Sequence, residues 1–239
     1  MNNFFNNDVT IDDVRSRSAF AALMRKVYVW MTLALTVTGL TAYYVASNPQ
    51  LMYSMFGQSS TMVWVLILAQ LAIVFTLSAA INRLSFMVAS LLFVAYSVLN
   101  GLTFSVIFLV YTMSSISSVF FITAGTFAAM SFIGYTTRKD LTGMGKILIM
   151  ALIGIIIATV VNIFIKSSGL MMIVSYIGVL IFVGLTAYDT QKIKKMFLQA
   201  GTEVNDSTQK LALLGSLTLY LDFINLFLYL LRILGDRRS

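Results

Sequence analysis

The sequence has 239 residues, of which 59% are hydrophobic and only 10% are charged, and its mean hydropathy is +0.90. A soluble domain carries about 25% charged residues, so this chain has too few polar side chains to cover its own surface. It contains no Cys and no His, which excludes disulfides, thiol catalysis, Cys-ligated metal centres and histidine-based catalysis. The net charge of +7 would suggest nucleic acid in a soluble protein, but in a membrane protein it records topology. The composition indicates a polytopic membrane protein whose partner is the lipid bilayer, with no nucleic acid.

Apolar segments of about 17–25 residues, long enough to cross a bilayer as a helix, occur seven times along the chain. They cover residues 27–46, 61–80, 86–112, 118–136, 147–165, 170–190 and 211–234. Short connections join them, so the predicted fold is all-α: a single domain over 1–239 built as a seven-transmembrane-helix bundle. Residues 1–26 form an N-terminal segment before the first span, and its acidic residues argue against a cleavable signal peptide.

Basic residues indicate how the bundle is oriented. With the N-terminus in the cytosol, the opposite side receives only four of the sixteen Lys and Arg residues: Lys166, Arg232, Arg237 and Arg238. A re-entrant last segment would return the three C-terminal arginines to the cytosol and is the alternative. Because the basic residues that flank the earlier helices usually set the orientation, we expect seven full spans and an N-terminus in the cytosol.

Ionisable residues inside apolar segments are costly, so each is a candidate functional residue. Asp189 lies near the end of the sixth predicted span, and Asp222 lies in the middle of the seventh. For Asp189 the alternative is an ion pair with Lys192, one helical turn further on. Arg83 stands in the turn between the second and third spans, where it is either a topogenic charge or part of the site.

A polar stripe runs along the seventh predicted span. The spacing of its members, alternately three and four residues, places them on one helix face: Gly215, Thr218, Asp222, Asn225, Tyr229 and Arg232. Such a stripe is expected to face the bundle interior or a water-filled cavity. Two carboxyl groups that share a proton titrate as a pair, and when ionised they are oxygen ligands suited to calcium. The residues therefore predict a proton-sensitive cation site, with Asp189 and Asp222 as its metal ligands.

Four segments carry a resemblance to a known family. Gly-Leu-Thr-Ala-Tyr-Asp-Thr-Gln-Lys-Ile (184–193) and Leu-Tyr-Leu-Asp-Phe-Ile-Asn-Leu-Phe (219–227) are similar to signatures of the Bax inhibitor-1 family, also called the transmembrane Bax-inhibitor-motif proteins. Arg-Lys-Asp-Leu (138–141) and Asn-Ile-Phe (162–164) resemble two further landmarks. The chain resembles most the small members of the bacterial inner membrane.

The resemblance implies a bundle with the last helix at its centre and a pH-sensitive calcium leak closed by an aspartate pair. Carried over by motif, the pair is Asp189 and Asp222. Family members pair an arginine of the second helix with the first aspartate, and Arg83 is the only basic residue available for that role. Some relatives place an acid within the second span, whereas this chain offers only Gln70 there. No cofactor is implied besides calcium as a bound or permeant ion.

Two other functions fit the same residues. One is a regulator without catalytic activity that binds a membrane protease or another inner-membrane complex. The other is an intramembrane aspartyl protease, in which two aspartates on adjacent spans activate a water molecule. Those enzymes carry Gly-x-Gly-Asp, whereas Asp222 follows Leu219-Tyr220-Leu221, and the chain has a single proline, Pro49. We therefore predict that the protein is not an enzyme.

Overall fold

A computed structural model describes residues 11–57, 61–200 and 205–238, with side chains described from residue 18 onward. Residues 1–10 of the N-terminal segment lie outside the described residues. Seven long helices follow one another: α1 (Ile11–Ala46), α3 (Thr61–Ala80), α4 (Phe86–Phe104), α6 (Met113–Thr136), α7 (Thr142–Ile165), α8 (Ser168–Ala200) and α9 (Asp206–Leu234). Short elements complete the order: α2 (Pro49–Met52), a π-helical turn (Tyr53–Gly57) and α5 (Ile107–Val110).

The all-α class and the seven predicted spans are confirmed. The described part of the chain contains seven helices long and apolar enough to cross a membrane. Five of the seven long helices begin before their predicted spans, whereas α3 and α4 begin at the predicted residues 61 and 86. Helix α1 begins at Ile11 and is one continuous helix. The third predicted span, in contrast, is interrupted after Phe104, before α5 begins.

Helix α8 also extends at its other end: it was predicted to end at residue 190 and continues to Ala200. Residues 191–200 contain no Pro or Gly, so nothing in them stops a helix. The extension also has an apolar face, because Ile193 and Phe197 are buried in the core. Asp189 therefore lies well inside α8 and not at the end of the helix, while its place near the end of the membrane span stays a prediction.

Helix α9 is the centre of the bundle, as expected. It packs against α8, α1, α6 and α4, and 67% of its most apolar stretch is buried, against 11% for α3 and for α7. One apolar cluster surrounds Tyr220 on the side of α1, α4 and α6, and a smaller one around Phe182 joins α7, α8 and α9. Helix α9 therefore takes part in two separate helix interfaces, or seams: one with α1, α4 and α6, and one with α7 and α8.

The last helix crosses the bundle once. At its beginning, Nζ of Lys210 donates to the carbonyl of Leu84 (3.1 Å), in the turn between α3 and α4. At its end, the backbone of Arg238 donates to Val110 (2.9 Å), and Asp236 accepts from Thr112 (3.1 Å). These contacts join opposite ends of the bundle, so the structure contains the single crossing and not the re-entrant alternative.

Candidate functional site

Asp189 of α8 and Asp222 of α9 face each other across the seam between the two helices. Both side chains are buried, with 8% and 4% of their surface exposed. Their carboxyl groups lie within hydrogen-bonding reach of each other. The two candidates identified from the sequence, 33 positions apart, thus form one site between antiparallel neighbours.

Close glycine contacts set the register of this seam on both sides of the pair. On one side, a Cβ at Gly215 of α9 would lie 3.2 Å from Cδ1 of Ile193. On the other, a Cβ at Gly178 of α8 would lie 2.6 Å from the ring of Tyr229. Small residues let helix backbones approach in this way. The glycines therefore hold α8 and α9 close enough for two short aspartate side chains to meet.

One oxygen of the pair has no donor. Among the described residues, Oδ2 of Asp222 is the only buried side-chain nitrogen or oxygen without a hydrogen-bond partner. A buried polar atom left unpaired costs about 1–3 kcal/mol, and more when it is charged. A proton shared between the two carboxyl groups supplies the missing donor. The geometry therefore favours a pair that holds a proton.

The pair has no ion-pair partner within the described part of the chain. Lys192 is the cation whose charge acts on both carboxyl groups, but its side chain is exposed and its Nζ lies 6.0 Å from the ring centre of Tyr188. The described ion pairs are Lys195 with Asp140 and Lys210 with Asp206. The alternative explanation of Asp189, an ion pair with Lys192, is not formed.

Arg83 is not brought to the aspartates. It lies exposed in the turn between α3 and α4, because Ile81 and Leu84 of that turn take the inward positions against the core. No arginine is among the groups that interact with either carboxyl group. The pairing of Arg83 with Asp189 that the family resemblance implied is therefore absent from this structure.

The other members of the polar stripe either form hydrogen bonds within α9 or contact α8. Thr218 Oγ1 donates to Leu214 (3.1 Å) and Asn225 Nδ2 donates to Leu221 (2.8 Å), each one turn back. Tyr229 covers Gly178. Arg232 donates to Oγ of Ser175 at 3.5 Å and lies over the Tyr229 ring. Gly215, Tyr229 and Arg232 of the stripe thus contact α8, and Tyr229 and Arg232 close the end of the α8–α9 seam beyond Asp222.

A group of hydroxyls around Thr190, the residue next to Asp189, was not identified from the sequence. Oγ1 of Thr190 lies 3.4 Å from Oγ of Ser131 on α6, and the hydroxyl of Tyr28 on α1 interacts with both. These residues come from three spans. The only available signal was that each is a polar residue within an apolar segment, and nothing in their spacing shows that they meet.

The Arg-Lys-Asp-Leu motif is tied to α8 one turn beyond the carboxyl pair. Gln191 accepts from the backbone of Leu141 and donates to the carbonyl of Lys139, both at 2.8 Å. Lys195 forms a 2.5 Å ion pair with Asp140 and, together with hydrogen bonds from Thr142, holds the pKa of that carboxyl well below its usual range. This loop anchors the extended end of α8.

Comparisons with known proteins agree with these motifs. A family model described as "Inhibitor of apoptosis-promoting Bax1" matches residues 21–239. Inner membrane protein YbhL of Escherichia coli K12 is 52% identical over 225 residues, which is 94% of this chain and 96% of that protein. An uncharacterized protein of Borreliella burgdorferi is 49% identical over 218 residues, 90% of this chain and 92% of the relative. A membrane protein of Streptococcus pyogenes is 41% identical over 166 residues, 70% of this chain and 71% of its own length.

The match to the family model spans the seven helices and both aspartates, and three relatives from distant bacteria share well over a third of their aligned residues with this chain. The resemblance stated from the four motifs is confirmed. The chain belongs to the Bax inhibitor-1 family of membrane proteins.

Proposed function

We propose that the protein is a pH-sensitive leak pathway for calcium or a similar cation, gated by the pair of Asp189 and Asp222. The observation that carries the proposal is the pair itself: two carboxyl groups buried between two membrane-spanning helices, without an ion-pair partner and with one oxygen lacking a donor. Ionisable residues in such places mark ion and proton pathways in membrane proteins.

The number of protons on the pair controls how strongly α8 and α9 are held together. With one proton, a charge-assisted hydrogen bond joins the two helices. With none, two negative charges repel each other at close range. With two, the charge that strengthened the bond is gone. The contact is therefore tightest when the pair holds one proton, and the leak is lowest in that state.

The seam can open at little cost in hydrogen bonds. Thr218 and Asn225 bond to carbonyls of their own helix, so separation of α8 from α9 leaves those bonds intact. At the end of the seam beyond Asp222, separation would break the packing of Tyr229 on Gly178 and the 3.5 Å bond from Arg232 to Ser175. Movement of these two α9 side chains would open the end of the seam that they close.

Calcium enters the proposal as a permeant ion and no other cofactor is needed. Calcium takes six to eight oxygen ligands, of which the pair offers at most four. The described residues contain no group of three or more His, Cys, Asp or Glu side chains that could hold a metal. Two carboxylates without further ligands suit transient binding of a passing ion. The pair binds protons and cations in this proposal, and no covalent bond is made or broken.

The orientation follows from the charges at the two ends of the bundle. Cations crowd the end at which α1 begins, among them Arg25, Lys26, Arg138, Lys139 and Lys194, whereas Lys166 and the C-terminal arginines lie at the other end. By the positive-inside rule the crowded end, with the N-terminus, faces the cytosol. The relative named as an inner membrane protein supports placement in the bacterial inner membrane.

Calcium flux in proteoliposomes over a pH series tests the proposal. Wild-type protein should conduct calcium with a pH dependence that Asp189→Asn changes, since this variant leaves a single ionisable carboxyl group. Asp140→Asn is the matched control, because Asp140 is exposed and paired with Lys195 outside the spans. Flux equal to that of empty liposomes at every pH would reject the leak and favour the regulator that acts by contact. Peptide cleavage abolished by Asp189→Asn would instead favour the protease.

A further inference from the structure

A groove of about 940 Å³ separates α1 from α6 on the outside of the bundle. Its walls are the apolar side chains of the two helices, and Phe127 and Phe223 form its floor. From Arg25 to Gly39 the groove follows 15 residues of α1, a rise of about 21 Å. The apolar thickness of one leaflet is about 15 Å. The groove is therefore long enough to hold an acyl chain over the full depth of a leaflet.

One end of the groove is polar and positively charged. Arg25 lines that end together with Tyr28 and Tyr135. Arg25 is exposed and has no ion-pair or hydrogen-bond partner for its side chain among the described residues. Lys194 contacts Tyr135 at this end of the groove, with its Nζ 2.8 Å from the carbonyl and 5.2 Å from the ring centre of that tyrosine.

A second hollow of about 510 Å³ continues from Lys194 over the end of the bundle. It is lined by four cationic side chains and one acidic one: Arg138, Lys139, Lys194, Lys195 and Asp140. Because Asp140 is already paired with Lys195, the hollow keeps an excess of positive charge. This excess positive charge would attract an anionic group at the polar end of the groove.

We propose that this groove is a binding site for an anionic phospholipid. One acyl chain lies between α1 and α6, and the phosphate sits at the end of the groove between Arg25 and Lys194. Basic side chains at this depth attract anionic lipid headgroups, and tyrosines are enriched at the same level of the membrane. The combination of an apolar groove with an unpaired guanidinium at one end matches a phospholipid, which is apolar along its chains and negative at one end. An apolar helix of a partner protein would fill the groove but leave Arg25 without a counter-charge.

The site lies next to the carboxyl pair but does not depend on its function. Ser131 and Tyr28 line the groove and also belong to the hydroxyl group beside Asp189. A bound lipid would therefore contact two residues that interact with Thr190, the neighbour of Asp189 on α8. Lipid binding can be measured directly, so its failure and the failure of the calcium leak would be seen in different experiments.

Native mass spectrometry of the detergent-purified protein tests the headgroup site. Phosphatidylglycerol and phosphatidylcholine with identical acyl chains are added at equal concentration. The wild-type protein should retain phosphatidylglycerol with about fivefold preference, the factor expected for one cationic contact. Arg25→Gln should remove most of that preference. Lys146→Gln is the matched control, because it removes one positive charge from an exposed position on α7 and should leave the preference unchanged.

A second pair of variants tests the place of the acyl chain. Gly39 lines the groove and a Cβ there would meet nothing within 4 Å, so Gly39→Leu fills the groove without a clash and should reduce retention of both lipids. Gly125→Leu, on α6 and equally open, lies outside the groove and should not. Equal retention of the two lipids, or equal effects of Arg25→Gln and Lys146→Gln, would overturn the proposal. So would a dimer that Gly39→Leu dissociates, since a second copy would then occupy the groove.

Discussion

Tyr220 and Asp222 lie two residues apart on α9 and enter two different buried seams. Tyr220 points toward α1 and α4, where its hydroxyl lies 2.8 Å from Oγ1 of Thr38, which in turn donates to the carbonyl of Ser97 at 2.9 Å. A threonine hydroxyl has one proton to donate, so Tyr220 must be the donor to Thr38. Asp222 points toward α8, where it meets a second acid and retains an oxygen without a donor.

The seam at Tyr220 is suited to stabilising the fold, whereas the seam at Asp222 is suited to a pH-dependent switch. A buried polar network in which every member is satisfied fixes the packing around it. A carboxyl pair changes from attraction to repulsion with the loss of one proton. The Tyr220 seam should therefore govern the free energy of unfolding and be indifferent to pH. The Asp222 seam should govern the pH response.

Tyr220→Ala should have the largest effect on stability. Tyr220 is fully buried and its ring contacts Phe93 and Tyr96 edge-on, so its removal leaves a cavity and takes away the donor to Oγ1 of Thr38. Loss of a buried aromatic side chain costs about 3–5 kcal/mol. The free energy of unfolding, measured by denaturant titration in mixed micelles, should fall by that amount. Tyr176→Ala on exposed α8 surface is the control, and an equal loss there would contradict the assignment.

Gly178→Leu should have the next largest effect, because the new side chain would collide with the ring of Tyr229. Overpacking of this kind costs about 1–3 kcal/mol. The double variant Gly178→Leu/Tyr229→Ala should recover part of the loss, whereas Gly154→Leu on α7, where a Cβ meets nothing within 4 Å, should be neutral. The same micelle titration measures all three variants. If Tyr229→Ala gives no rescue, the contact does not set the register of the α8–α9 seam.

Tyr220→Phe should have a small effect that sharpens the contrast between the two seams. It removes the bond to Thr38 but keeps the ring, and a neutral hydrogen bond contributes about 0.5–1.5 kcal/mol. Calcium flux should keep the pH dependence of the wild-type protein. A shifted pH midpoint in this variant would show that the two sides of α9 are coupled, contrary to the separation described here.

Much of this architecture could be predicted from the sequence, because the hydropathy of a segment depends only on its own residues. A run of apolar residues marks a span wherever its neighbours lie in space, and spacing of three and four places Asp222 on the same helix face as Gly215 and Tyr229. The exposure of Arg83 and the continuation of α8 to Ala200 depend instead on which residues of distant segments pack together. Ile81 and Ile193 take buried positions that neither hydropathy nor spacing assigns to them.

The meeting of the two aspartates was beyond local reasoning for the same reason. Span boundaries drawn from hydropathy placed Asp189 near a membrane surface and Asp222 at the centre, and only the family resemblance implied that they pair. Their common level is set by the glycine contacts between α8 and α9, which are properties of two helices together. The hydroxyls of Tyr28, Ser131 and Thr190 likewise come from three spans and share no sequence pattern.

The pH dependence of calcium flux in Asp222→Asn tests the central claim most directly. Asparagine keeps the volume of aspartate and can donate a hydrogen bond to Asp189, but it cannot ionise, so the variant should fold and insert. Its flux should lose the pH dependence of the wild-type protein, because a single carboxyl group remains. Flux through Asp189→Asn/Asp222→Asn should be impaired no more than in the more affected single variant, because the two carboxyl groups act as one unit. Wild-type pH dependence of calcium binding and flux in folded, inserted Asp222→Asn would contradict the account and leave the α8–α9 seam as a packing contact.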